Sequence, residues 1–128
     1  MPGRIKHFGP DAVELLQAAQ SVRVRSGSGR HRFIGIWMVV VEGRLFVRSW
    51  SLKQRSWYRT FLSDPRGAIV VATKRFAVRA IRTRSERIKK AVDKAYLSKY
   101  RSGGLRRYGR DLVGTRSRNT TTELVPLR

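Results

Sequence analysis

Phe33-Ile34-Gly35-Ile36-Trp37-Met38-Val39-Val40-Val41-Glu42-Gly43-Arg44-Leu45-Phe46-Val47-Arg48-Ser49-Trp50 is the stretch on which the fold turns. Two β-favouring runs, residues 33–41 and 44–50, stand either side of Glu42-Gly43. Two apolar runs joined by two residues, the second a glycine able to take positive φ, read as a tight β-hairpin. Upstream, Val22-Arg23-Val24-Arg25 alternates like a half-buried strand and runs into the turn Ser26-Gly27-Ser28-Gly29. Downstream, Gly67-Ala68-Ile69-Val70-Val71-Ala72 and Phe76-Ala77-Val78-Arg79-Ala80-Ile81 read as two more antiparallel strands, turning at Thr73-Lys74-Arg75. The tail 120–127 has three threonines in a row and Pro126 near its end, and reads as a closing strand.

Helices are expected between these strands. Gly9-Pro10-Asp11 opens one that ends near Gln20, with proline early and a carboxylate in the first turn. Ser56 is placed to cap a second, whose apolar Trp57, Tyr58, Phe61 and Leu62 stop at Asp64-Pro65. Thr83-Arg84-Ser85-Glu86 has the form of a capping box. It leads into the longest expected helix, where Ile88, Ala91, Val92, Ala95, Tyr96 and Tyr100 share a face and Lys89, Lys90, Lys94 and Lys99 hold the other flank. Residues 102–118 read as a basic, glycine-punctuated loop with room for one helical turn. The expected order is α-β-β-β-α-β-β-α-β in one domain over 1–128, with residues 1–9 a basic leader. This is an α+β class fold: a small antiparallel split β-barrel of about six strands with inserted and flanking helices.

Composition bounds what such a domain can do. At 128 residues, 41% apolar, the chain can bury one core without disulfides, and it has no cysteine. That removes thiolate metal sites, and His7 and His31 have no further ligands at metal spacing. The leader lacks a signal-peptide apolar run, and 33–41, broken by Gly35, is too short to cross a bilayer as a helix. A cytoplasmic protein with no membrane partner is expected. Charge is the outlying property: 29 Lys and Arg against 8 Asp and Glu give +21. Residues 65–128 hold 18 basic and 4 acidic side chains, so +14 of the +21 lies in the second half. Such a field attracts polyanions, and arginine forks suit phosphate.

The central block, on Glu42 to Trp50, then Arg55-Ser56-Trp57-Tyr58-Arg59, then Ser63-Asp64-Pro65 leading into the strand 68–71, resembles the split-barrel superfamily related to pyridoxamine-phosphate oxidase. That superfamily includes deazaflavin-dependent nitroreductase-like proteins and an uncharacterised family of unknown function. The resemblance spans about residues 22–82. It implies a homodimer, a phosphorylated cofactor (FMN or a deazaflavin), and an oxidoreductase acting on a small molecule. It places the cofactor on Arg48, Ser49, Trp50, Lys53, Arg55, Ser56 and Trp57, the phosphate falling to Ser49, Lys53, Arg55 and Ser56 at a helix start. Trp50 or Trp57 would contact the ring. Trp50-Ser51-Leu52 departs from the glycines many deazaflavin-binding relatives carry here, adding bulk that could narrow a pocket.

The residues themselves allow plainer readings. Arg25 to Arg30 fits no nucleotide-binding fingerprint and reads more simply as a turn. Trp37, mid-strand, reads as core, whereas Trp50 and Trp57 are equally balanced between packing and a cofactor wall. Tyr58, Tyr96, Tyr100 and Tyr108 have no visible activating partner and read as packing. Arg79 and Arg82 either face a cleft or protect the sheet surface. No catalytic side chain is identified, which suits a cofactor that carries its own chemistry. The alternative is a non-enzymatic module that binds nucleic acid through the basic C-terminal half, with Arg106, Arg107, Arg110, Arg116 and Arg118 on phosphates.

Overall fold

The computed structural model describes residues 7–29, 32–50, 56–102 and 105–127. In chain order it contains α1 (Pro10–Ala18), β1 (Ser21–Ser26), β2 (Ile34–Val41), β3 (Arg44–Val47), α2 (Trp57–Ser63), β4 (Arg66–Val71) and β5 (Lys74–Arg82). Then follow α3 (Glu86–Lys99), α4 (Leu105–Leu112), α5 (Thr115–Arg118) and β6 (Thr122–Pro126). The strands close a six-stranded antiparallel barrel in the order β1-β2-β3-β6-β5-β4. The expected α+β barrel with flanking helices is therefore the observed architecture.

Alternation along each strand sends one set of residues inward. Val22, Val24, Ile36, Met38, Leu45, Val47, Ile69, Val71, Val78 and Leu124 form the interior cluster. The first and second helices close its ends. Leu16 of α1 joins the cluster, and Phe8 meets Phe76 edge-on beside the β4–β5 turn. At the other end Phe61 of α2 lies over Gly67, where an added Cβ would stand 2.8 Å from the ring and 2.5 Å from the Arg25 carbonyl.

A second cluster lies outside the barrel, where Val39 and Phe46 on the outer faces of β2 and β3 meet Ile88, Val92, Tyr96 and Tyr100 of α3 and Leu112 of α4. Gly109 lets α4 approach α3, since a Cβ there would lie 3.0 Å from the Tyr100 carbonyl and 3.2 Å from that of Tyr96. Three local expectations are corrected. Residues 102–118 are not a loop with one turn but carry α4 and α5. The β4–β5 turn is Ala72-Thr73, not 73–75, because Val71 pairs directly with Lys74 and Ala72 takes φ +52°. Ser85, not Thr83, caps α3 by accepting the Ile88 N–H, while Glu86 turns to Arg118 instead.

Candidate functional site

The hairpin turn Glu42-Gly43 has both residues at positive φ, 55° and 72°, as a two-residue turn between twisted strands requires. It sets the register Val41↔Arg44 through Met38↔Val47, and β3 ends at Val47. The chain leaves the barrel through Arg48, Ser49 and Trp50, and α2 begins at Trp57. This exit, at the α2 end of the barrel, is where the expected cofactor residues lie. Lys53 and Arg55 lie outside the described residues.

Arg48 turns inward. It is 1% exposed, and its guanidinium donates to Thr121 Oγ1 (2.9 Å), Asp93 Oδ1 (2.5 Å), the Leu112 carbonyl (2.9 Å) and the Lys89 carbonyl (3.1 Å). Burial lowers its proton affinity, and the Asp93 carboxylate acts against that. Asp93 also accepts from Arg118 Nε at 3.0 Å, and Arg118 reaches Glu86 at 2.8 Å. The four charges thereby tie β3 to α3 and α5, and the Arg48 fork is fully engaged inside the fold. Ser49 is buried as well, its N–H donating to Thr120 Oγ1 at 2.7 Å. Ser56 caps α2, its hydroxyl accepting the Arg59 N–H at 3.3 Å. Trp57, 8% exposed, belongs to the interior cluster with Tyr58 and Phe61.

Trp50 differs from all of these. Its side chain is 55% exposed, and it is the one aromatic among the exposed large apolar side chains of the described residues. It is nevertheless held: Nε1 donates to Asp111 Oδ2 at 3.1 Å, and the Tyr108 ring meets it edge-on at 5.8 Å. Tyr108 in turn leans on Trp37 (5.2 Å), which meets Tyr100 edge-on (5.1 Å). An aromatic ladder thus runs from the second cluster to the surface and fixes Trp50 with an open face.

Other sequence candidates fall into place around this exit. Asp64 accepts both the N–H (2.8 Å) and the hydroxyl (2.5 Å) of Ser28, so the turn that could have cradled a phosphate already holds a carboxylate. Those two bonds hold the Asp64 pKa below its ordinary value. Trp37 is half-buried in the second cluster rather than in the barrel interior. Arg79 projects from the outer face of β5. His7 is exposed, and no group of His, Asp or Glu among the described residues could hold a metal ion. No helix among them is long and apolar enough to cross a membrane.

Sequence reasoning missed three participants. Asp93 is the acid inside α3, and its sequence neighbours gave no hint that it receives Arg48. Tyr100, read as packing, also accepts the Met38 N–H (3.1 Å) and shares its proton between the carbonyls of Gln20 (2.5 Å) and Met38 (2.7 Å). Lys99, read as solvated flank, donates to the Met38 carbonyl at 2.9 Å, and burial brings its ammonium down to about 8.

A bacterial family profile matches residues 12–124, covering β1 to β5, the start of β6, every helix from α2 onward and most of α1. The chain belongs to the DUF2255 family, uncharacterised proteins conserved in bacteria. No curated protein sequence matches this DUF2255 chain. Among solved structures it is similar to the conserved hypothetical protein Rv2991 from Mycobacterium tuberculosis, with a TM-score of 0.64 at 12% identity. The alignment covers all of this chain and 87% of that one. At that identity the likeness speaks for the barrel fold alone.

Proposed function

We propose that this protein binds a phosphorylated flavin or deazaflavin at the barrel exit between Trp50 and Ser56, and that the bound cofactor supports an oxidoreductase reaction on a small molecule. The observation that carries the reading is Trp50. A large, exposed ring held by Asp111 and Tyr108, beside a segment that contains Lys53 and Arg55, suits an aromatic group bearing phosphate.

The fit is narrower than the resemblance implied. Arg48, Ser49 and Trp57 are engaged within the fold, so they support the exit rather than touch a ligand. Trp50 remains exposed beside the exit and Ser56 caps α2; the proposal assigns the phosphate to Lys53 and Arg55, which lie outside the described residues. The cofactor, when bound, would supply the redox chemistry. This chain's part is to seat the ring on Trp50 and to neutralise phosphate with Lys53 and Arg55. A homodimer is part of the same proposal, read by sedimentation velocity.

Cofactor fluorescence titrations test the site. Lys53→Ala with Arg55→Ala is expected to abolish retention, and Trp50→Ala to weaken it about tenfold, the scale of one lost stacking contact. Unchanged binding in both variants would remove the assignment.

A further inference from the structure

The barrel wall is covered on one side only. Helices α3 and α4 lie over β2 and β3, while no helix of the described residues packs on the outer faces of β4 and β5. On this bare wall, and on the outer face of neighbouring β1, the alternation turns out Arg23 and Arg25, Arg66, and Arg75 and Arg79. The register aligns them: Arg23↔Val70↔Arg75 across three strands and Arg66↔Arg79 across two, with Ala68 and Ala77 between. With strands about 4.8 Å apart and about 3.3 Å of rise per residue, five guanidinium groups share a patch roughly 10 Å wide.

None of the five makes an ion pair among the described residues, although every strand on this face could have placed an acid there. β1, β4 and β5 contain no carboxylate; Glu123 on adjoining β6 is held by Arg44 at 2.7 Å, and Asp64 before β4 by Ser28. Two of the arginines flank a ring: Arg25 and Arg75 lie 5.0 and 5.3 Å from the centroid of half-buried Phe33. The Arg25 Nε–H is buried and has no acceptor among the described residues. Among the described residues Asp64 is the one acid that acts on any of the five, at Arg66; like charges gathered with so little counter-charge repel one another, so this face is complementary to an extended anion rather than to itself.

We infer that the bare β1·β4·β5 wall is a binding surface for single-stranded nucleic acid, whose phosphates lie along the arginines and whose bases stack beside Phe33. A sheet presenting cations around an aromatic ring has the elements such a strand uses. Between the arginines the wall's apolar side chains, Ala68, Val70 and Ala77, are small and lie close to the sheet, and Ile81, farther along β5 opposite Glu123, is half-buried, so the wall lacks the broad exposed apolar face that would insert into a lipid layer. This surface is separate from the exit site and from the C-terminal segment to which composition alone assigns such a role.

Fluorescence anisotropy with a labelled oligothymidylate, across a salt series, tests the inference on the full chain. The combined Arg23→Gln, Arg66→Gln, Arg79→Gln variant is compared with Arg106→Gln, Arg107→Gln, Arg110→Gln on α4, which removes equal charge elsewhere. The wall variant should lose at least about tenfold more affinity than the α4 variant, and its salt slope should shrink by about 2, from three phosphate contacts at about 0.7 each. Equal losses, a larger loss in the α4 variant, or no binding by the parent chain overturns it. So does a change in sedimenting mass of the wall variant, which would make the face a contact between copies. Should the triple variant fail to fold, Arg79→Glu alone must still weaken binding more than Arg110→Glu. Retention of flavin by the wall variant keeps this test independent of the exit site.

Discussion

The two sides of one barrel wall use arginine in opposite ways. Under α3 and α4, Arg48 is buried among four acceptors and belongs to a network that includes Asp93, Arg118 and Glu86. On the β1·β4·β5 side, Arg23, Arg66 and Arg79 are exposed and make no ion pair among the described residues, and Asp64, whose charge Arg66 feels, is hydrogen-bonded to Ser28. The residue type is the same and the strand geometry is the same; the supply of partners differs. Eight acids cannot neutralise 29 cations, and the fold places half of those acids, Glu86, Asp93, Asp111 and Glu123, where they brace helices and β6. What is left over marks the surfaces where an outside anion is the missing partner.

The comparison breaks most readily at Arg48. Arg48→Met should cost about 3 kcal/mol in urea unfolding, since it strands buried acceptors and leaves Asp93 with Arg118 alone. Arg48→Lys should recover only part of that, because an ammonium cannot span the acceptors as the fork does. A loss below about 1 kcal/mol for Arg48→Met would mean that the network is incidental. Next, Gly109→Ala should destabilise by about 1 to 2 kcal/mol, against the usual helix preference for alanine, because its Cβ meets the Tyr100 and Tyr96 carbonyls. Tyr100→Phe should cost about 1 kcal/mol by removing the hydroxyl shared by Met38 and Gln20.

A pH series sharpens the same contrast. Lys99 is lowered from 10.5 to about 8 by burial, so between those values the unfolded chain binds more protons and stability rises with pH. Burial lifts Tyr100 to about 12, so above about 10 the folded chain keeps a proton the unfolded one loses, and stability falls again. A maximum near pH 10 is expected, with the rising limb flattened in Lys99→Met. The smallest effect belongs to the bare wall. Replacing Arg23, Arg66 and Arg79 by Gln should shift unfolding by no more than about 0.5 kcal/mol per site, with any gain coming from relieved repulsion.

Much of the barrel was legible because its signals are local. The hairpin at Glu42-Gly43, the alternation of β1 and the Ser56 cap each depend on residues within a few positions. The helices α4 and α5 were not, because Gly103, Gly104, Gly109 and Gly114 lower helix propensity and the intervening arginines mask the spacing of Leu105, Tyr108 and Leu112. The reason for that glycine is a contact with α3, which no local pattern carries. The exit site divides in the same way. The Ser56 cap could be placed from sequence, which leaves Trp50 balanced between packing and a cofactor wall, and the inward turn of Arg48 depends on Asp93, Leu112 and Thr121, which lie 45 to 73 positions away. The bare wall was hidden for a related reason, since the charge surplus was visible in composition while the strand pairing that gathers it was not.

The most direct test of the account is a fluorescence and absorbance titration of the full chain with FMN and with a deazaflavin, in salt high enough to screen the general positive field. Saturable binding of one cofactor per chain that persists in salt, and is lost in the Lys53→Ala, Arg55→Ala variant, is the predicted result. Absence of saturable binding to either cofactor, or binding that vanishes as salt rises, would contradict it.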